Sequence, residues 1–429
     1  MNNNSSFKIL RIVILFVTCS FLLFNTSCKK DKQPEDITTN EVIYSLMNQY
    51  YLWYQYIPQK ISTYNTDPTD FLNSLLYTTI DRWSFILTNA EYNDLMVVGQ
   101  YAGHGFGYQP DIYENVRISF IFKNTNAYKA GIRRGWKIDS INSQPVNIGN
   151  IDNLIGPNTL GITNIISFQT PDSQYITISL NKQEVQENMV LATDTYHIDN
   201  DIVGYLGFYS FLGNAQQELD SAFQTFASDK IQDLVVDLRY NGGGDLTICQ
   251  HLSGLLAGQL HGNNTFVTIL CNSKNQGLDT TYHIPSVANS LALKRIFFIT
   301  SGATASASEA IIYGLKPYIS NIYIIGSTTD GKPVGESVFN LSQYGYYVAP
   351  IVFNLSNPQY GTWNYFGGLT PNKEEIDDLM HDFTDVNEKC LHQALYFIAN
   401  GSFDANSEAL IVTPPSKSLK GIRKLFNAH

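Results

Sequence analysis

Apolar runs of strand length alternate with segments of helical period through the second half of the chain. The strand-like runs end in turns rich in glycine and small residues, and helical segments separate them. The predicted strands cover 202–208, 233–238, 295–300 and 322–326, and the predicted helices cover 218–226, 246–256 and 310–315. This alternation predicts an α/β core.

The first part of the chain has two other patterns. Between 40 and 95, apolar and aromatic residues recur at helical spacing, and Asp67 followed by Pro68 indicates the start of a second helix. Between 98 and 180 the pattern is mostly that of strands. An N-terminal helical domain and a β-domain are therefore predicted ahead of the α/β core.

The turn at Thr300–Glu309 has the features of a position for a nucleophile. Its small residues allow a sharp bend between the strand 295–300 and the following helix. A serine at a helix start lies at the positive end of the helix dipole, which favours developing negative charge. Serine and threonine are also ordinary helix caps, so this turn alone leaves a purely structural role open.

Two further turns follow predicted strands of the same core. Lys332 lies between Gly331 and Gly335, just after the strand 322–326. Arg239–Asp245 contains three consecutive glycines, whose exposed N–H groups could bind a phosphate or an oxyanion. A Gly-Lys-Ser/Thr sequence is missing there, which argues against a nucleotide-binding P-loop.

Together the three turns resemble a protease family. The strings D-L-R-x-N-x-G-G, T-A-S-A-S-E and G-x-T-T-x-G-K are similar to those of the S41 peptidases, the C-terminal processing or tail-specific serine proteases, and the similarity spans 203–397. The resemblance implies a crotonase-like or ClpP-like fold. It also implies Ser306 as nucleophile, Lys332 as general base, and the N–H groups of Gly243 and Ala307 as oxyanion donors.

One position departs from the family pattern in a way that matters for the chemistry. Glu336 stands four residues after Lys332, where the family often has glutamine. An ionised carboxylate beside a lysine favours the ammonium form, which cannot act as a base. Because Gly335 precedes it in a predicted turn, we expect the Glu336 side chain to point away from Lys332, with at most an accessory role.

The β-domain resembles a PDZ domain on the string from Ala127 to Asn142. The loop Gly103-His104-Gly105-Phe106-Gly107 falls where a PDZ domain holds a peptide carboxylate with backbone N–H groups, while the strand beside it binds the peptide. A small β-domain with a structural glycine loop is the alternative. Upstream, Tyr51–Tyr54 and Asp81–Ser84 resemble the N-terminal helical domain of S41 proteins from Bacteroidetes-type bacteria.

The N-terminus predicts export and lipidation. Lys8 and Arg11 precede an apolar run of signal-peptide length, which ends at Thr26-Ser27-Cys28. Cys28 is the predicted lipidation site, and an ordinary signal peptide with an incidental cysteine is the alternative. The resemblances and patterns divide the chain into a signal peptide (1–27), a tether (28–39), a helical domain (40–95), a PDZ domain (96–185), the S41 core (195–400) and a tail (401–429).

Composition argues against several kinds of partner and cofactor. The 429-residue chain has a net charge of −11, which argues against a nucleic-acid partner. No Cys/His pattern indicates zinc, and no metal or organic cofactor is expected. Asp377, Asp378 and Asp382 are interpreted as the solvated start of a helix rather than as metal ligands.

The sequence therefore predicts a multidomain α/β protein with an inserted PDZ β-domain. We expect it to be an exported serine endopeptidase that captures C-terminal ends of protein or peptide substrates. A lipid anchor would hold it in the envelope of a Gram-negative bacterium, on the outer membrane and facing the periplasm or the cell surface. A catalytically silent peptide-binding lipoprotein is one alternative. Another is a Ser-His-Asp hydrolase with His251 or His381 as base, although no G-x-S-x-G elbow is present.

Overall fold

The computed structural model describes residues 38–59, 66–93 and 100–405. The predicted signal peptide, Cys28, most of the tether and tail residues 406–429 lie outside the described residues. Within the described part, no helix combines the length and the apolar character that crossing a bilayer requires.

The first described segment is mainly helical, as predicted, and contains one short strand. Thr38 and Asp67 cap its two longer helices through their side-chain oxygens. Apolar residues of both helices, including Ile43, Met47 and Phe71, form a core with Val348 of a later strand. The elements are α1 (Thr39–Tyr50), α2 (Pro68–Leu75), β1 (Phe85–Thr88) and α3 (Asn89–Tyr92).

The second segment is a β-rich unit with its own hydrophobic core. Its elements are β2 (Gln100–Gly103), β3 (Phe106–Pro110), β4 (Val116–Ile121), α4 (Asn126–Lys129), β5 (Lys137–Ile141), β6 (Gln144–Pro145), α5 (Ile151–Ile155), β7 (Thr163–Gln169), β8 (Tyr175–Asn181) and β9 (Gln183–Gln186). The main sheet has the order β3-β4-β5-β7-β8, with β6 beside β5, and β2 pairs separately with β9. Ile118, Ile138, Ile166 and Phe168 fill the centre of this unit. Strand β3 lies at the edge of the sheet.

The third segment confirms the mixed α/β prediction. Its first elements are β10 (Val190–Ile198), β11 (Asp201–Phe208), α6 (Ala215–Asp229), β12 (Asp233–Asp237), α7 (Leu246–His261), β13 (Thr265–Cys271), β14 (Thr280–His283), β15 (Arg295–Thr300), α8 (Ala307–Leu315) and β16 (Ile322–Gly326). The remaining elements are β17 (Val334–Glu336), β18 (Phe339–Leu341), β19 (Tyr346–Ala349), β20 (Ile351–Asn357), β21 (Gly361–Thr362), β22 (Lys373–Glu374) and α9 (Lys389–Asn400). The central sheet has the order β10-β11-β12-β15-β16-β22 and is parallel from β11 onwards.

The remaining strands of this segment form two antiparallel sheets. One has the order β14-β13-β20-β17, with β21 beside β20, and the other joins β1 of the first segment to β19 and β18. The first segment is therefore attached to the third by strand pairing as well as by packing.

The parallel order of β12, β15 and β16 determines where the site lies. In this register Asp237 lies beside Ile299, and Thr300 lies beside Gly326. The three strands therefore end at the same edge of the sheet, and the three turns singled out in the sequence leave from that edge.

A buried network of charges joins the second and third segments. Arg239 is fully buried between Asp237 and Glu388, and one of its nitrogens lies 2.8 Å from Asp377. Arg134, from the β-rich unit, lies 2.6 Å from the same Asp377 oxygen. The interpretation of the acidic run as a solvated helix start was wrong: two arginines pair with its first carboxylate, and α9 begins only at Lys389.

Arg134 also donates to neutral acceptors on both segments. Its nitrogens reach the carbonyl oxygen of Ser119 and the hydroxyl of Tyr240, each at 2.6 Å. They also reach the carbonyl oxygens of Asp378 and His381. This side chain therefore fastens the β-rich unit to the segment that precedes α9.

We expect Arg134→Met to lower the free energy of unfolding by about 3 kcal/mol, because it removes one of the two cations that pair with Asp377 and leaves several buried carbonyl acceptors without their donor. Urea unfolding of the two proteins measures the difference. The matched control is Arg133→Met, since Arg133 is half-buried and donates only to the carbonyl oxygens of Tyr128 and Ile132 in the described structure. Its loss should stay below about 1 kcal/mol, and equal losses for the two variants would contradict the role given to Arg134.

Candidate active site

Ser306 lies at the sharp turn between β15 and α8, as the sequence predicted. Its backbone has φ 57° and ψ −117°, a conformation that residues with a side chain rarely adopt. The side chain is half-buried, and the next residue, Ala307, begins the helix. A strained backbone of this kind needs hydrogen bonds from its surroundings to persist, and Glu309 provides one of them.

Glu309 is fully buried, and its carboxylate connects two of the three turns. One oxygen, Oε2, accepts hydrogen bonds from the backbone N–H of Ser306 at 2.9 Å and from that of Lys332 at 2.8 Å. The other oxygen accepts from the N–H of Gly331 at 2.8 Å and from the hydroxyl of Thr329. The backbones of the predicted nucleophile and the predicted base are therefore held by a single carboxylate oxygen.

The turn that carries Lys332 is fixed from a second side. Gly331 has φ +89°, and a Cβ there would come within 2.5 Å of the carbonyl oxygen of Phe366. Thr329 exchanges hydrogen bonds with Leu369, donating through its N–H and accepting through its hydroxyl. Lys332 itself is only 5% exposed. The turn is therefore tightly packed, and a substitution at Gly331 would strain it.

Glu336 faces Lys332, and the expectation that it points away was wrong. The Lys332 Nζ lies 2.6 Å from Glu336 Oε2, and the carboxylate is partly exposed. The expectation relied on a loose turn at Gly335, but residues 334–336 form strand β17 paired with β20. The register of this pairing shifts between Gly335 and Glu336, and such an irregularity redirects a side chain. Lys332 and Glu336 therefore form an ion pair.

The glycine-rich loop after β12 packs directly against the serine turn. A Cβ on Gly243 would lie 2.9 Å from Ser306 Cβ and 3.0 Å from the nitrogen of Ala307. The Asn241 carbonyl accepts from Ala305 N–H at 3.2 Å and from the Ser308 hydroxyl at 2.9 Å. Only a glycine at 243 leaves this space beside the serine open.

The two predicted oxyanion donors differ in whether their N–H group already has an acceptor within the described residues. The N–H of Ala307 is in the first turn of α8 and has no acceptor among the described residues. The N–H of Gly243 donates to Asn241 Oδ1 at 2.9 Å. Asn241 Nδ2 donates to the carbonyl of Phe208, which sets the orientation of the amide. Gly243 can therefore serve an oxyanion only if its N–H turns away from, or is shared with, Asn241.

The loop from Gly103 to Gly107 lies in the β-rich unit and runs from β2 into β3. His104 is buried, and its Nε2 lies 2.8 Å from Asn164 Oδ1. Since Asn164 Nδ2 donates to a carbonyl, its Oδ1 must accept, so the imidazole carries its proton on Nε2. Burial lowers the pKa of His104. Its Nδ1 is buried and has no hydrogen-bond partner in the described part of the chain.

The two histidines considered as alternative bases have other partners. His251 lies 2.6 Å from Asp220, and His381 lies 2.7 Å from Asp378. Neither forms a hydrogen bond with Ser306. Across residues 38–59, 66–93 and 100–405, no cluster of His, Cys, Asp or Glu side chains could hold a metal ion.

The sequence analysis assigned no role in the site to Glu309, Arg82, Trp83 or Asp330. Glu309 was part of the motif, and the spacing Ser306-x-x-Glu309 is that of a helix capping box, which could have indicated its bond to the Ser306 N–H. Its bonds to Gly331 and Lys332 join distant parts of the chain and leave no local pattern. The contacts of Arg82 and Trp83 with Asp330 are of the same long-range kind.

Comparisons with known proteins show which family the chain belongs to. The model for Peptidase family S41 matches residues 202–374, and the model for the Peptidase S41 N-terminal domain matches residues 38–85. The chain belongs to the S41 peptidases, which confirms the resemblance noted in the three turns.

Individual relatives are distant. A Staphylococcus epidermidis protein named as a CtpA-like serine protease is 21% identical over 340 residues, which cover 78% of this chain and 65% of that protein. The chain thus spans slightly less than two thirds of that relative. Carboxyl-terminal-processing peptidase 2 of Arabidopsis thaliana chloroplasts is 27% identical over 141 residues, covering 33% of this chain and 26% of the peptidase. A Bacteroides fragilis structure reported as that of an S41 protease has a TM-score of 0.72 at 22% identity, and covers 87% of this chain and 100% of its own.

The Glu309 carboxyl leads to a testable dependence of stability on pH. Burial raises its pKa to about 7, although the hydrogen bonds from Thr329, Lys332 and Gly331 act in the opposite direction. Because the folded state then holds this proton more tightly than the unfolded state, the stabilising effect is complete below about pH 4.5. It is lost as the pH rises through about 7.

We therefore expect the free energy of unfolding of the wild type to fall, relative to that of Glu309→Gln, as the pH rises from about 5 to about 8. The glutamine variant has nothing to titrate at this position, so it subtracts the contribution of all other groups. Urea unfolding of both proteins at several pH values gives the curve. Parallel curves over this range would show that the pKa of Glu309 is not raised.

Proposed function

We propose that the chain is a serine endopeptidase of the C-terminal processing type, with Ser306 and Lys332 as its catalytic dyad. The observation that carries the proposal is the shared Glu309 oxygen, which holds the backbones of these two residues beside each other. Family membership supports the reaction class, and the strained, half-buried Ser306 is suited to act as a nucleophile.

The dyad would act in two steps. Ser306 Oγ attacks the carbonyl carbon of the scissile bond, and its proton passes to the neutral amine of Lys332. The resulting ammonium gives that proton to the leaving nitrogen, the C–N bond breaks, and an acyl ester remains on Ser306. Water then loses a proton to Lys332 and attacks the ester, and the same proton returns to Ser306 Oγ.

The oxyanion of each tetrahedral intermediate needs donors beside Ser306. The N–H of Ala307 is available for this role, and Gly243 is the second candidate once its N–H is released from Asn241. In other proteases one such donor contributes roughly 3–4 kcal/mol to the stability of the transition state. Because Gly243 N–H is engaged with Asn241 in the unliganded chain, its hydrogen bond to the oxyanion forms at the expense of that contact.

Glu336 determines under which conditions Lys332 can be a base. The Glu336 carboxylate lies 2.6 Å from Lys332 Nζ, so the amine is engaged in an ion pair before substrate binds. Lys332 can accept the proton of Ser306 only when this pair separates and leaves a neutral amine.

The β-rich unit would capture the C-terminal end of the substrate in the manner of a PDZ domain. The outer edge of β3 has no strand partner among the described residues, so a peptide could add as a further strand. Lys182 provides positive charge in this unit, since its buried ammonium donates to the carbonyls of Gly156 and Pro157 and forms no ion pair within the described structure. Both features suit a peptide that ends in a carboxylate.

Export and lipid anchoring at Cys28 complete the proposal, and their support comes from the sequence. Intact-mass analysis of the protein purified from membranes should show an acylated chain that begins at Cys28. A mature chain with a free N-terminus at another residue would exclude the anchor.

The dyad is tested by peptide cleavage with three variants. Ser306→Ala and Lys332→Arg should abolish turnover, since the first lacks the nucleophile and the guanidinium of the second stays protonated. Glu336→Gln should stay active, because the amide oxygen can still accept a hydrogen bond from Lys332 while the ion pair that engages the amine is gone. The measurement is kcat/KM of the wild type and the three variants on one peptide.

The controls distinguish the parts of the proposal. Folding of each variant is checked by thermal unfolding. A substrate with an amidated C-terminus should be cleaved more slowly than the free acid if its carboxylate is bound. Turnover by Lys332→Arg would rule out the dyad. A wild type that neither cleaves peptides nor reacts with a serine-directed phosphonate would indicate the silent binding protein instead.

A further inference from the structure

Two side chains of the N-terminal segment reach the turn that carries Lys332. The indole Nε1 of Trp83 donates to Asp330 Oδ2 at 2.9 Å. The guanidinium of Arg82 donates to the Asp330 carbonyl oxygen at 2.6 Å and lies 3.7 Å from Oδ2. Asp330 thus has both its carboxylate and its carbonyl bound by neighbouring residues of another domain.

The two side chains are themselves held in place. The guanidinium of Arg82 stacks over the Trp83 ring, 4.2 Å from its centre. Trp83 is buried, and its backbone N–H donates to the carboxylate of buried Asp81, which also accepts from the hydroxyls of Tyr51 and Ser84. The core of the N-terminal segment therefore fixes the geometry of the pair.

Hydrogen bonds of Asp330 and of the two residues after it connect Arg82 and Trp83 to the site. Its own N–H donates to the carbonyl of Thr304, two residues before Ser306 in the serine turn. On its other side follow Gly331 and Lys332, whose N–H groups both donate to Glu309. A shift of Asp330 would therefore displace one of the contacts between the serine turn and the lysine turn.

We propose that Arg82 and Trp83 are positioning residues of the catalytic site, which hold Asp330 and so set the place of Lys332 relative to Ser306. The inference rests on the proposed Ser-Lys function and extends it to the N-terminal domain. The N-terminal domain then contributes residues that hold the active site in place. Neither side chain takes part in the chemistry.

The geometry favours positioning over simple packing. An apolar contact would hold Asp330 without a defined direction, whereas the indole N–H and the guanidinium each bind a different oxygen of one residue. A hydrogen bond to a charged acceptor is stronger than a neutral one and depends on angle. Substrate binding should not depend on these contacts, but the alignment of the base should.

The first test is Trp83→Phe, which keeps a ring for packing and removes the N–H. We expect kcat to fall about tenfold with KM changed less than about twofold, since one hydrogen bond to a charged group is lost from a positioned base. Trp53→Phe is the matched control, because Trp53 belongs to the same domain, packs against Tyr51 and Tyr77, and forms no hydrogen bond with Asp330. It should keep wild-type kinetics.

A double-mutant cycle tests whether the effect passes through Asp330. Asp330→Asn weakens the acceptor of the same hydrogen bond, so the combined variant Trp83→Phe/Asp330→Asn should lose no more than the larger single loss. Losses that multiply would show that Trp83 acts by another route. Wild-type kcat in Trp83→Phe would overturn the proposal.

Hydrogen exchange provides a readout that does not depend on activity. In Trp83→Phe the amides of Gly331 and Lys332 should exchange faster than in the wild type, whereas in Trp53→Phe they should not. Unchanged exchange would refute the positioning role even in an active enzyme. Faster exchange in a protein whose Ser306→Ala variant cleaves as well as the wild type would keep the positioning role for the turn and reject the Ser-Lys function.

Discussion

The buried Glu309 carboxylate is the interaction on which the site depends. Its four hydrogen bonds come from Ser306, Thr329, Gly331 and Lys332, and they join a helix start to a turn that follows the neighbouring strand. Isolating a carboxylate from water is costly, and its raised pKa is the sign of that cost. Four donors directed at one group offset the cost and keep Ser306 in a backbone conformation that a free chain would rarely adopt.

Charged groups serve different purposes in different parts of the protein. In the network of Arg134, Arg239 and Asp377, the two buried guanidinium groups and the partly exposed carboxylate each have several partners, so the network fixes how the segments are joined. The pair of Lys332 and Glu336 is less enclosed, since the Glu336 carboxylate is partly open to solvent. This arrangement suits the proposed role of Lys332 as a base, because the amine must accept and return a proton.

All three described segments contribute to the surroundings of the serine turn. The α/β core supplies the turns themselves, because three parallel strands end at one edge of the sheet. The N-terminal segment holds Asp330 through Arg82 and Trp83. The β-rich unit reaches the hydroxyl of Tyr240, next to Asn241 of the glycine-rich loop, through Arg134. Movement of the N-terminal segment or of the β-rich unit would therefore displace groups close to Ser306.

The sequence by itself determined the α/β core and the positions of Ser306, Lys332 and the glycine-rich loop. These features depend on local patterns, namely apolar runs of strand length, turns of small residues and motifs within a few positions. It did not determine the direction of Glu336, since the pairing of β17 with β20 sets that backbone. Nor did it show that Asp377 pairs with two arginines, or that Gly243 donates to Asn241. The tertiary structure decided these points because each depends on groups brought together from distant positions, and the energy of a charge or an N–H depends on the partners it meets there.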